Sequence, residues 1–106
     1  MITAVKFRHG IEHPTAKARI HHRLERLRFD ANTVRRVDVV LDRVPYDGTP
    51  ACNYQCHISF RGGDRKSLDI YTDKRHAEMA IDDAFDRLHV ALASGMTRRS
   101  RKRWGR

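Results

Sequence analysis

Eight consecutive residues, Asn53 to Phe60, alternate without a break. Tyr54, Cys56, Ile58 and Phe60 point one way, and Asn53, Gln55, His57 and Ser59 point the other. A period of two with one apolar side describes a half-buried antiparallel strand, one face on a core and one toward water. Such a strand needs neighbours on its edges and a layer over its apolar face. The rest of the chain supplies both. Residues 34–44 place Val37, Val39 and Leu41 on one face, while Arg36, Asp38 and Asp42 share the other with Val40. Residues 2–8 alternate as a short first strand, with Thr3, Val5 and Phe7 on one face. The segment "PYDGTP", centred on Asp47-Gly48, is dense turn chemistry, and Gly62-Gly63-Asp64 turns the chain into a fourth strand around Leu68 and Ile70.

Two stretches change period from two to 3.6. His13-Pro14 marks a helix start, because Pro is favoured at the first helical position. From there to about Phe29, Ala16, Ile20, Leu24 and Leu27 form one stripe, and Asn32 ends the connection that follows. Thr72 or Asp73 offers a cap for a second helix running to about Ala93, striped by Ala77, Ile81, Ala84, Phe85, Leu88 and Leu92, with Gly95 as its stop. The order β-α-β-β-β-α predicts an α+β two-layer sandwich, a four-stranded sheet with both helices on one face. At 106 residues and 40% hydrophobic content this is one domain with a single modest core.

Charge is distributed unevenly along that order. Residues 1–94 carry 16 basic and 13 acidic side chains, while 95–106 add six basic ones and no acid. Two-thirds of the net +9 therefore sits in Arg98, Arg99, Arg101, Lys102, Arg103 and Arg106. A run of like charges buries no core, so the tail is expected to be extended and solvated until a polyanion orders it. Nucleic acid is the expected polyanion, with counterion release as the driving force. The bland reading is a solubilising segment. In the first helix Lys17, Arg19, Arg23, Arg26 and Arg28 flank the apolar stripe, with Arg19, Arg23 and Arg26 in a row on one shoulder. Basic residues beside a stripe often only snorkel at the core edge. Together with the tail they predict a nucleic-acid face. The row Glu78, Asp82 and Asp86 of the second helix reads as a solvated face that an anionic ligand avoids. An exposed row further implies that reversing Arg23 and Arg26 together leaves stability almost unchanged.

Catalytic and metal-binding classes are disfavoured. No phosphate-binding glycine loop, nucleophile elbow or HExxH occurs, and "FRGG" lacks the Lys and Ser/Thr of a phosphate loop. Cys52 and Cys56 fall on one strand face, four residues or roughly 13 Å apart, beyond disulfide reach. With no second Cys/His pair at knuckle spacing they read as buried, inert thiols, and no metal or cofactor is expected. No apolar run approaches the roughly 18–20 residues that span a bilayer, and the start is unlike a signal peptide, so the expected address is cytoplasmic. At least one of the neighbours His21 and His22 should face solvent. An aromatic base-stacking sheet is disfavoured because Tyr71 stands isolated.

Over about residues 3–94 the chain resembles the ribosome hibernation promoting factor family, which includes the ribosome-associated inhibitor proteins. The resemblance rests on the joint order of "IEHPTAKARIHHRLERL", "VRRVDVVLD", "CHISFRGGD" and "DKRHAEMAIDDAFDRLHVAL". It implies a short-form member: a ribosome-binding domain over 1–94 and a basic C-terminal tail over 95–106. It implies a non-enzymatic translation regulator that occupies the messenger and transfer RNA cleft of the small ribosomal subunit. Ribosomes would be kept idle there in stationary phase or stress, with ribosomal RNA as partner and no membrane or small-molecule substrate. By position the family's basic contacts fall on Arg23, Arg26 and Arg87. The family's last helix commonly ends in several bases, where this chain reads "HVALASGM". The expected RNA-binding set is thus Lys17, Arg19, Arg23, Arg26, Arg28, Arg87, Arg98, Arg99, Arg101, Lys102 and Arg103. The runner-up is a free-standing module for double-stranded RNA, whose domain uses a related sheet-and-helices layout.

Overall fold

The computed structural model describes residues 2–8, 14–30, 34–45, 52–62 and 67–104, without the side chains of 28–30, 45, 52 and 94–104. The expectations at His13, Asn32, Asp47-Gly48, Gly63-Asp64 and Arg106, and for the Cys52 thiol, lie outside the described residues. Within them the chain runs β1 (Ile2–Phe7), α1 (Pro14–Asp30), β2 (Val34–Pro45), β3 (Cys52–Gly62), β4 (Ser67–Lys74) and α2 (Ala77–Trp104). This is the expected β-α-β-β-β-α order. Strands pair in chain order; β1 is parallel to β2, and β3 is antiparallel to both of its neighbours, β2 and β4.

Register explains why one sheet face is dry. Val37 pairs with Phe60, Val39 with Ile58 and Leu41 with Cys56, so the apolar sides of β2 and β3 coincide. All six residues are buried. On the edge strand β1, Val5 and Phe7 are only partly covered and Thr3 is exposed. Ala16, Ile20, Leu24 and Leu27 of α1 and Ala77, Ala80, Ile81, Ala84, Phe85 and Leu88 of α2 close over this face as one core. Each fully buried Leu or Ile contributes about 1.5–3 kcal/mol. Burial pushes the Cys56 thiol up to about 12, so it stays protonated and unreactive at neutral pH.

Two boundaries differ from expectation. Thr72 and Asp73 do not cap α2, because both belong to β4. The first helical hydrogen bond runs from Ala80 N–H to the carbonyl of His76, which takes the capping position. The Thr72 hydroxyl instead donates to the Ala80 carbonyl at 2.7 Å, a buried tie from β4 to the first turn of α2. Nor does Gly95 end the helix. α2 continues through it to Trp104, so the tail is helical there rather than extended. One interior Gly costs only about 1 kcal/mol relative to Ala, and the Arg and Lys that follow are good helix formers. Cations near a helix C-terminus also oppose its dipole favourably.

Candidate nucleic-acid interface

α1 and α2 lie side by side on the sheet and run in the same direction. The basic shoulder of α1 and the acidic row of α2 therefore meet in register. Arg19 donates to Asp82 through Nε, at 3.1 Å to both carboxylate oxygens, and through a second nitrogen at 2.8 Å. One turn later Arg23 reaches Asp86 at 2.7 Å and Asp82 at 3.4 Å. Its guanidinium also lies over the Phe85 ring, 5.4 Å from the centroid. The Arg23 side chain is only 22% exposed.

The electrostatics follow the geometry. The hydrogen bond from Arg19 is the largest effect on the Asp82 carboxyl and holds it below the usual carboxylate range; burial opposes it, and the charges of Arg19 and Arg23 add weaker lowering effects. Reciprocally, the bond to Asp82 raises Arg19, with Glu78 adding a weaker attraction. The acidic row is thus an interhelical partner rather than a solvated face, and two of the three shoulder arginines are engaged by it. Reversing Arg23 would set a third carboxylate against Asp82 and Asp86, so the expectation of an unchanged stability is withdrawn.

Arg26 is different. It is exposed and lines a groove of about 330 Å³ between the helices, with Arg23, Leu27, Phe85, Asp86, His89 and Val90. Lys17 is exposed on the opposite shoulder. Arg87, on the outer side of α2, places Nε 3.2 Å from Asp83 Oδ2, which also lies 3.8 Å from Lys74 Nζ. Those separations allow charge pairing, although that oxygen accepts no hydrogen bond. Arg28, Arg98, Arg99, Arg101, Lys102 and Arg103 have helical backbones, and their side chains lie outside the described residues. Within the row of Arg19, Arg23 and Arg26, the groove end at Arg26 is therefore the part that the acidic row of α2 leaves open.

Sequence reasoning missed the seam, although its signal was present. Arg19 and Arg23 repeat at the same four-residue step as Asp82 and Asp86, each beside an apolar stripe. Two helices packed on one sheet face in the same direction bring such rows together. It also missed a pairing on the open sheet face, where Tyr71 is not isolated but stacks on His57 with centroids 4.2 Å apart and planes 7° from parallel. Both His21 and His22 are exposed. Among the described residues, no three His, Cys, Asp or Glu side chains converge to hold a metal ion, and no helix is long and apolar enough to cross a membrane.

What the fold and seam define is a small α+β sandwich presenting a basic groove between its helices. Two solved structures share that architecture along almost their whole length. One is a ribosomal subunit interface protein from Coxiella burnetii, at a TM-score of 0.73 and 8% identity, covering 92% of this chain and 99% of that one. The other is the N-terminal domain of Protein Y from Thermus thermophilus, at a TM-score of 0.68 and 18% identity, covering 87% and 96%. At these identities the likeness is one of fold. No family model matches the sequence, and no curated protein matches it.

Proposed function

We propose that this chain is a non-enzymatic, ribosome-associated RNA-binding protein of the hibernation-factor type, acting in the cytoplasm. In this reading the folded domain docks on ribosomal RNA in the small-subunit cleft and acts by occlusion, filling the space needed by messenger and transfer RNA. The groove carrying Arg26, together with the α2 extension beyond Gly95, supplies the phosphate contacts, with Lys17 on the opposite shoulder of α1 as a separate contact. The observation that carries the reading is the near full-length fold likeness to a ribosomal subunit interface protein, in a chain of net charge +9. A fold alone does not assign a function; here it agrees with the resemblance of four sequence stretches and with the open end of the basic shoulder.

The test is sedimentation of lysates from growing and starved cells through a sucrose gradient. Ribosome docking predicts co-migration with small-subunit-containing particles that rises on starvation. Protein that stays at the top of the gradient in both states would sink the reading and return the free-standing RNA module to first place.

A further inference from the structure

The two carboxylates of the helix seam are placed differently. Arg19 holds Asp82 through both carboxylate oxygens, and Asp82 also accepts from Arg23 Nη1 at 3.4 Å. The Arg23 guanidinium is steadied from below by the Phe85 ring as well. Asp86 is the outer member. It accepts from Arg23 Nη2 at 2.7 Å, and its side chain is 67% exposed. Of the two, Asp86 is the one that lines the groove, beside Arg23 and Arg26. An ion pair with so exposed a partner adds little to stability. Its effect on the charge of the groove is larger.

Arg23 and Arg26 would together meet an incoming phosphate with two guanidinium groups. Asp86 cancels one of them, because it takes up the Arg23 nitrogen that Asp82 does not engage. A carboxylate gives a guanidinium the same kind of charged oxygen acceptors as a phosphate does. Asp86 thus holds the place on Arg23 that a phosphate would take, and it sets a like charge in the path of any phosphate drawn to Arg26.

We propose that Asp86 is a specificity-determining residue of this groove, an internal anion that withholds Arg23 from phosphate and so suppresses indiscriminate binding of flexible RNA. The inference rests on the reading of the groove as an RNA-contact surface. Sequence-independent binding is driven by counterion release and grows with the number of phosphates met. A flexible strand can bring a phosphate to any open guanidinium, whereas a folded RNA surface presents its phosphates at fixed places. Withholding Arg23 therefore weakens the flexible strand more. Selectivity is a difference of affinities, so repelling the wrong ligand raises it just as holding the right one does.

Fluorescence anisotropy of a labelled oligouridine on the full chain, read across salt concentrations, tests this without ribosomes, so its failure and that of the ribosome reading are separable. Asp86→Asn keeps the side chain's size and removes its charge. It should tighten binding at least about threefold at about 50 mM salt and steepen the slope of log affinity against log salt by about 0.7, the value of one single-strand phosphate. Asp86→Glu keeps the carboxylate and should bind as the parent does. Asp69→Asn removes a half-exposed charge from the opposite sheet face and controls for net charge. Screening over that distance should hold its effect within about 1.5-fold. In two-dimensional NMR the strand should move the Arg23 side-chain N–H signal in Asp86→Asn but not in the parent. Co-sedimentation with ribosomes should gain less from Asp86→Asn than oligouridine binding does. The proposal is overturned if Asp86→Asn binds oligouridine as the parent does, or if Asp69→Asn or Asp86→Glu gains as much. It is equally overturned if the strand moves the Arg23 signal alike in parent and variant, or if ribosome binding gains as much as oligouridine binding.

Discussion

Arg23 and Arg26 stand three residues apart on one helix shoulder, yet the fold gives them different work. Arg23 is closed in by Asp82, Asp86 and the ring of Phe85, and its charge is spent inside the molecule. Arg26, nearly one turn further on, is exposed at the groove. A row of like residues read from sequence is therefore two populations, one that fixes the angle between helices and one that can meet an outside anion. Counting charges overstates the interface. Long flexible cations matched to carboxylates on a second helix lose their reach for phosphate.

Three substitutions can break or sharpen that division. The largest stability effect should come from Arg23→Glu, which clusters three carboxylates at a largely covered position. We expect a loss of about 2 kcal/mol in urea unfolding, between the cost of an exposed pair and that of breaking a fully buried one. A loss below about 0.5 kcal/mol would return Arg23 to the solvent-facing class.

Asp82→Asn comes next, and its signature is a pH dependence. The folded-state pKa of Asp82 lies below its ordinary value of 3.8 because Arg19 donates to its charged form. Its contribution is present above that ordinary value and is lost as pH falls through the lower, folded-state one. The parent should therefore lose stability on acidification below about pH 4 more steeply than Asp82→Asn, with a gap at neutral pH of under about 1 kcal/mol because the carboxylate is part-exposed. Parallel acid limbs would show that the seam's geometry carries no stabilising charge interaction at this residue.

The smallest stability change belongs to Arg26→Glu, within about 0.5 kcal/mol. Its effect should appear in association, as a shallower salt dependence of ribosome binding and at least about a tenfold loss of affinity at low salt. Unchanged co-sedimentation of this variant would move the contact surface away from the groove.

The pattern of the chain explains which of these features were legible in advance. The alternation of Asn53 to Phe60 and the stripes of α1 and α2 report burial directly, so element order, core and sheet covering could be read from periods alone. What lies between elements could not. The pairing of His57 with Tyr71 depends on a strand register that no single residue encodes, and a one-residue slip would have left Tyr71 unpartnered. Arg19 and Asp82 are 63 residues apart, and their meeting depends on how two helices lie on a common sheet. The end of α2 was misread for a local reason. A Gly beside polar residues is a stop signal only when the following chain gains nothing from staying helical, and here Arg98 to Arg103 follow in the last turns of the helix.

The passage of α2 through Gly95 makes the cationic segment a rod rather than a tether. A tether searches a volume and finds phosphates wherever they lie. A rod holds its positions at fixed height and fixed angle to the core, rising about 1.5 Å and turning about 100° per residue. Direction then becomes a heritable quantity of its own. Adding one residue between Leu92 and Arg98 would leave composition, charge and helix content almost unaltered, yet swing every position beyond it about a quarter-turn or more around the axis. Adding four would bring those positions back to within about 40° while carrying them about 6 Å outward. Length changes in this stretch would thus act as a phase dial on the domain, with tolerance that rises and falls with the helical repeat.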